Sequence, residues 1–397
     1  MKKVVLAFSG GLDTSYCAIY LAKEMGLEVH AALANTGGFS AEELARIEKR
    51  AYALGVKSYV ALDVTQDYYQ HAIKYMIFGN VLKNSTYPIS VSSERISQAT
   101  AIARYAREIG AEYLCHGSTG AGNDQVRFDM IFNIVAPEIE VIALIREKRL
   151  SREEEIEYLR SHGVDFDFKK AEYSINQGIW GTSVGGKETL TSSETLPEEA
   201  YPSQLKETEP RRVTLTFERG EFVALDGKRY DDRIAAIQAL QAVASRYAVG
   251  RDMHVGDTII GIKGRVGFEA AAPMVIIKAH HMLEKHTLTK WQLFWKDQIS
   301  AFYGNHLHEG QYYDPVMRDM EAMLESSQRT VSGDVYVDLH PYRFVVVGID
   351  SPHDLMSNRF GAYGETMSDW TSEDVKGFGR IFGNQNKIYY QVNKEKL

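Results

Sequence analysis

Only two cysteines, Cys17 and Cys115, occur in 397 residues. That is too few for a disulfide framework and points to a reducing compartment, with the cytoplasm as the expected location. Nor is there a basic surplus: 45 lysines and arginines face 53 acids, a net charge of −8, which argues against nucleic acid as the principal partner. Long apolar runs are also missing. Phe344-Val345-Val346-Val347 is far short of the ~20 residues that span a bilayer. Lys2-Lys3 and the apolar stretch Val4–Phe8 are too short for a signal-peptide core, so no membrane partner is expected. Repeats and low-complexity tracts are absent. What remains, 44% hydrophobic and 25% charged, is the composition of a globular chain, long enough for two or three domains at ~100–200 residues each.

Up to about residue 165, β-branched apolar runs (Val4–Phe8, Val29–Ala34, Tyr59–Leu62, Tyr113–Cys115, Val141–Leu144) alternate with helical periodicity at Ser15–Met25, Ala41–Leu54, Tyr68–Phe78, Glu94–Ile109 and Arg152–His162. Gly26, Gly55, Gly110 and Gly163 each follow the last periodic residue, where a helix ends. This rhythm predicts an α/β domain with a parallel sheet covered on both faces. Lys187–Arg212, with Pro197, Pro202 and Pro210, reads as a surface excursion. Beyond it, a hairpin at Val213–Phe217 and Phe222–Leu225 and a helix at Ile234–Tyr247 open a second, α+β domain. The end combines a Gly377-Phe378-Gly379 turn with a polar tail from Lys387 to Leu397.

The strongest local signal is Ala7-Phe8-Ser9-Gly10-Gly11-Leu12-Asp13-Thr14-Ser15, a strand running through a glycine turn into a helix. Such a turn aims backbone N–H groups and a helix dipole at phosphate, and a tight turn capped by Ser, Thr or Asp explains it equally well. Gly181–Lys187 matches G-x-x-x-x-G-K, but Glu188 replaces the magnesium-holding hydroxyl and no strand precedes it. The third glycine after Gly377-Phe378-Gly379 is Gly383, one residue late for a dinucleotide turn.

Ser9-Gly10-Gly11-Leu12-Asp13-Thr14-Ser15 directly after the first strand resembles the PP-loop of the N-type ATP pyrophosphatases. The stretch His116–Asp129 resembles the HG-T-G-GNDQVRF segment of the argininosuccinate synthase family. Leu33-Ala34-Asn35, Tyr87-Pro88, Tyr173-Ser174, Val249-Gly250-Arg251, Gly261-Ile262-Lys263 and Ala279-His280 extend that likeness over nearly the whole chain. The resemblance implies an adenine-nucleotide α-hydrolase-like PP-loop domain over residues 1–167, a synthetase and multimerisation domain over 168–365, and an oligomerisation arm over 366–397. It implies a cytoplasmic homotetrameric ligase of arginine biosynthesis, which condenses citrulline with aspartate through a citrullyl-adenylate, using ATP and Mg2+ and releasing AMP and pyrophosphate. Residue by residue it implies that Ala7, Phe8, Ser9, Gly10, Gly11, Leu12, Asp13, Thr14, Ser15, Ala34 and Gly117 hold ATP, and that Thr119, Asn123 and Asp124 hold aspartate. Citrulline falls to Tyr87, Ser92, Asn123, Arg127, Ser174 and Ser183. Asp13, near a metal, Asp124, as partner of the substrate ammonium, and Arg127, as a forked carboxylate clamp, become the catalytic candidates. The plainer reading makes Arg127 a helix-side ion pair and Asn123-Asp124 an Asx turn.

Three positions depart from the family pattern. Gly256 stands where the family has an acidic residue, Phe268 where it has tyrosine, and Ala121 where it has lysine. The first two losses suggest a substrate with an uncharged α-nitrogen, an Nα-acylated citrulline, unless Asp257 or Glu269 compensates. His280, His281 and His286, and likewise His306, His308 and Glu309, are expected to be structural or surface groups rather than metal ligands. Cys17 is expected on a buried helix face, and the aromatic string Trp291–Tyr303 in the core or at a subunit interface. Two other readings stay open, an amidating or thiolating pyrophosphatase and a non-catalytic nucleotide sensor. No general base is evident.

Overall fold

Strands that are apolar on both faces have to be covered on both faces. In this computed structural model, which describes residues 1–120, 122–164, 173–357, 361, 363–365 and 369–394, the first five runs meet that demand. β1 (Lys3–Ala7), β2 (Glu28–Asn35), β3 (Ser58–Asp63), β4 (Tyr113–Cys115) and β5 (Glu140–Ile142) form a parallel sheet in the order β3-β2-β1-β4-β5. Alternation along β1 divides the core: Val4 and Leu6 pack with Cys17, Leu21 and Ile47, whereas Val5 packs with Ile96, Ile131 and Phe132.

The covering helices are α1 (Leu12–Lys23), α2 (Ala41–Ala53), α3 (Thr65–Tyr68) leading through a π-turn into α4 (Lys74–Phe78), α5 (Ser90–Glu108), α6 (Asp124–Val135), α7 (Leu144–Lys148) and α8 (Arg152–Ser161). Gly26, Gly55, Gly110 and Gly163 take left-handed φ of +63°, +86°, +64° and +77° after α1, α2, α5 and α8, the conformation a helix stop requires. α1 starts at Leu12, three residues before its periodicity does, so Asp13, Thr14 and Ser15 occupy its first turn. Sequence periodicity missed α6 altogether: its apolar residues are too evenly spread around the axis to make a stripe.

The following region is antiparallel. It contains β6 (Ser174–Gly178), β7 (Gly181–Gly185), β8 (Arg211–Glu218), β9 (Glu221–Leu225), β10 (Lys228–Arg229), β11 (Arg251–Asp257), β12 (Lys263–Glu269), β13 (Gly333–His340) and β14 (Arg343–Asp350). One sheet has the order β11-β12-β7-β6, the other β10-β9-β8-β13-β14. Helices α9 (Arg233–Ala244), α10 (Ala271–Thr287), α11 (Lys290–Glu309) and α12 (Val316–Ser327) complete it. The expected hairpin is β8–β9, and the G-x-x-x-x-G-K look-alike is the extended strand β7, not a phosphate turn.

His280 is fully buried between Asn80 and Gln328, with ring nitrogens 2.6 and 2.9 Å from their side-chain oxygens, which bears out its structural reading. Beside it the buried Lys296 and Glu284 pair at 2.8 Å. The aromatic string is not core as a whole: Trp291, Phe294, Trp295 and Phe302 are exposed, and only Tyr303 is fully buried, donating to Glu321.

Met1–His353 is one compact unit and Asp354–Leu397 another. In the latter, α13 (Ser372–Phe382) starts from a Thr371–Asp374 capping box and precedes α14 (Asn384–Asn393). The expected Gly377-Phe378-Gly379 turn is helical instead, lying inside α13, because the cap at Thr371 and the apolar stripe Val375, Phe378 and Phe382 outweigh the propensity cost of two glycines. Ala121 and the expected boundary at 167/168 lie outside the described residues.

Candidate active site

In the order β3-β2-β1-β4-β5 the chain reverses direction of travel between β1 and β4, and ligands of open α/β sheets bind outside the carboxyl ends at such a point. The glycine turn after β1 and the His116–Asn123 loop after β4 flank it.

Gly10 takes φ +73°, and a Cβ there would stand 3.2 Å from Ile47. The N-cap of α1 is Gly11, without a side-chain cap; the Ser9 hydroxyl accepts from Gly11 N–H at 3.4 Å and meets Thr14 Oγ1 at 3.3 Å. The capped-turn reading therefore fails, and the first-turn N–H groups of α1 have no side-chain cap. Phe8 and Leu12 point into the core, so they offer a ligand backbone only. Arg50 donates to Gly10 C=O at 2.6 Å, bringing to the turn a cation that no motif announced. From the other side, Gly117 closes on the first turn of α1: a Cβ there would be 3.1 Å from Thr14 Cγ2 and 3.2 Å from Asp13 Cβ. Ala34 is the last residue but one of β2, at the same sheet edge. Asp13 hydrogen-bonds to Glu155 of α8, a buried residue whose carboxyl is pushed up to about 8 by burial and by the neighbouring Asp13 charge.

Several residues of the second motif hold its loop in place. His116 Nδ1 accepts from Ser118 N–H at 3.2 Å while its Nε2 meets Asp129 at 2.8 Å. The Gln125 amide donates to Gly120 and Gly122 carbonyls at 2.6 and 3.1 Å. Asn123 Oδ1 accepts Ile259 N–H at 2.9 Å, tying the β11–β12 turn to the start of α6 and leaving the Asn123 amide nitrogen as donor. Thr119 stands on the exposed turn between.

Asp124 is gripped by two guanidiniums, Arg95 Nε at 2.9 Å and Arg127 Nη1 at 2.7 Å. Burial opposes its ionisation, but the two arginines outweigh that and hold its carboxyl well below the usual range. It is thus a permanent anion and a poor base. Arg95 also bonds Glu94 at 2.8 Å, and Glu94 accepts from Thr36 at 2.6 Å. The Arg127 fork is not open as expected: Nε is committed to His308 C=O at 2.8 Å and Nη1 to Asp124, and only the buried Nη2 lacks a partner. Arg127 is ion-paired as the plainer reading had it, yet with a donor left over, whereas Asp124 is a charged partner of Arg95 and Arg127.

Across from Arg127, the chain turns into α5 through Ile89 at φ +46°, a strain of about 1–3 kcal/mol for a branched residue. That turn lets the buried Tyr87 hydroxyl accept from Val91 N–H at 3.2 Å, and Trp180 braces it by donating to Pro88 C=O at 3.2 Å. Ser92 Oγ lies 2.9 Å from His308 Nδ1, so His308, expected to be a structural or surface group, is the structural one of these, buried beside the candidate site. Ser183 is buried on β7 opposite Phe268; Ser174 sits on the exposed edge strand opposite Gly185. Arg95 and His308 are the main residues that sequence reading missed. Arg95 lay inside a periodic helix and showed no signal beyond its charge.

A HUP-type sheet with a glycine turn at its switch point and a charged network beyond it defines an ATP-using nucleotide-binding enzyme. Two family models agree: that of the arginosuccinate synthase N-terminal HUP domain matches residues 3–165 and that of the arginosuccinate synthase C-terminal domain matches residues 173–389. The chain is 38% identical to an argininosuccinate synthase of Xanthomonas campestris, covering 99% of each. It is 35% identical to that of Dictyoglomus turgidum (98% of this chain, 97% of the relative) and 33% identical to that of Methanocaldococcus jannaschii (99% of each). The chain belongs to the argininosuccinate synthase family and is a ligase.

Proposed function

We propose that this enzyme joins citrulline to aspartate, with ATP cleaved to AMP and pyrophosphate. The observation that carries the reading is the meeting, at one sheet edge, of an uncapped glycine turn and the Arg95–Asp124–Arg127 network. The turn, with Ser9, Thr14, Ser15 and Arg50, binds the triphosphate and stabilises charge on the departing pyrophosphate. Gly117 and Ala34 border the remainder of the nucleotide. The ureido oxygen attacks the α-phosphorus and the bond to the bridging oxygen breaks. The aspartate amine then attacks the activated ureido carbon, AMP leaves, and the amine proton passes to phosphate or solvent. Thr119 and the Asn123 amide face the aspartate carboxylates, and Asp124 accepts from its ammonium while orienting Arg127. Tyr87, Ser92, Arg127 Nη2 and Ser183 receive citrulline, with Ser174 at the rim.

Among the described residues no group of three or more His, Cys, Asp or Glu could hold a metal. Magnesium would therefore come with the triphosphate, and Asp13 is the carboxylate the turn offers it. A thiolating reading finds no support, because Cys17 is buried, hydrogen-bonded to Cys115 and has its thiol pushed up by that bond and by burial. We also assign the working form to a cytoplasmic homotetramer, with residues 366–397 as the arm between subunits; the apolar stripe of α13 suits that role. Pyrophosphate release should require citrulline and aspartate together. Release independent of both amino acids would remove this function.

A further inference from the structure

The register of β11, β12 and β7 sets Ser183 opposite Phe268, and His254 and Gly256 further along the same face. The His254 ring stacks on Tyr87 with centroids 5.1 Å apart and planes at 26°, and Phe268 tilts against the same Tyr87 at 5.4 Å. A Cβ at position 256 would lie 2.4 Å from His254 Nε2. The imidazole therefore fills the space a side chain at 256 would need. Two buried polar atoms around this wall have no partner, His254 Nδ1 and Arg127 Nη2. Each is a buried polar atom whose desolvation a hydrogen-bonding ligand would offset.

The buried part of the wall, Ser183, His254, Gly256 and Phe268, carries no carboxylate. Glu269 lies on the opposite sheet face, 2.9 Å from Arg251 Nε. Asp257 is on that face too, paired with Lys263 at 2.6 Å and with 64% of its side chain exposed. Neither compensates for Gly256. Glu94 and Asp124 share Arg95. Asp252 is exposed, with Oδ1 accepting Met253 N–H at 2.7 Å. The charges that act on His254 are of both signs: Lys83, whose Nζ donates to Asn305 at 3.0 Å and which itself lies near Glu309 and Asp257, and Asp252, exposed at the end of the same face opposite Phe268. Burial and Lys83 push His254 down to about 4, so it is a neutral imidazole at pH 7. A substrate ammonium placed here would be desolvated without a buried counter-charge and repelled by Lys83.

Resting on the placement of citrulline proposed above, we infer that the enzyme's amino-acid substrate carries an acylated α-nitrogen, and that His254, Gly256 and Phe268 select it. The neutral amide N–H meets His254 Nδ1, in the tautomer that leaves this atom an acceptor, and the substrate carboxylate meets Arg127 Nη2. Phe268 contributes apolar surface without a hydroxyl.

The test is steady-state pyrophosphate release by the full chain with MgATP and aspartate, comparing citrulline, Nα-acetylcitrulline and Nα-succinylcitrulline. The expected result is a kcat/KM at least about tenfold higher for one acylated form than for free citrulline. Equal values, or a preference for free citrulline, would overturn the inference and leave the ligase reading standing; no release with any of the three would overturn the ligase reading itself. The double variant His254→Ala, Gly256→Glu, which opens the space and supplies a carboxylate, should move the kcat/KM ratio toward free citrulline by about tenfold or more. An unchanged ratio in a variant that still turns over would count against the selecting role. If that variant does not fold, His254→Gln, which keeps the volume and leaves no ionisable group, should retain the acyl preference, and a reversed preference would count against it.

Discussion

Glu155 has an environment that its sequence context does not suggest. It sits on a helix that sequence marks as strongly acidic and solvent-facing, Arg152-Glu153-Glu154-Glu155, yet it is buried against Asp13. The folded protein keeps its proton up to about pH 8, whereas an unfolded chain releases it near 4.5. In that interval the native state binds the extra proton, so this contribution to stability is complete below about 4.5 and is lost as pH rises through about 8. Urea midpoints should therefore fall between pH 5 and pH 8, and Glu155→Gln should flatten that part of the curve; an unchanged slope would show that the pair does not share a proton. The same comparison explains what could be read at this scale. Gly10, Asp13 and Thr14 announced themselves through motif chemistry, because a phosphate turn needs those residue types in that order. Glu155 and Arg50 did not, because a carboxyl and a guanidinium on acidic and basic helices look solvated until another helix or turn is laid over them.

Elements show a similar division. β1 to β5 and their covering helices followed from alternating runs of β-branched and periodic segments, and the glycine stops marked helix ends correctly. α6 was hidden because it is apolar on several sides, and α13 because its two glycines outvoted its cap. The contact of the β4–α6 loop with α1 lay beyond any local pattern, since it joins Gly117 to Thr14 across the sheet edge. Gly117→Val should push these elements apart, raising KM for ATP about tenfold or more and costing about 1–3 kcal/mol of stability. Initial rates against ATP concentration together with thermal melts would check it, and an unaltered KM would separate Gly117 from the nucleotide site.

At the scale of the whole molecule, the buried Lys296–Glu284 pair with His280 and Gln328 joins α10, α11 and the turn after α12. Removing one partner of such a pair leaves a bare charge, so this network fixes how those helices dock. The proposed assembly belongs to this scale as well. Removing residues 366–397 should lower the light-scattering mass from that of a tetramer while each subunit stays folded; a truncated tetramer would assign assembly elsewhere. By itself the sequence determined the class of domain, the glycine turn after the first strand and the family, because these depend on local periodicity, backbone freedom at glycine and an ordered set of motifs. Only the tertiary structure decided that Asp124 is held ionised between Arg95 and Arg127, that one donor of the Arg127 fork remains, and that His254 occupies the room above Gly256. Those outcomes depend on which buried charge finds which partner, and partners brought together from distant segments leave no trace in local sequence.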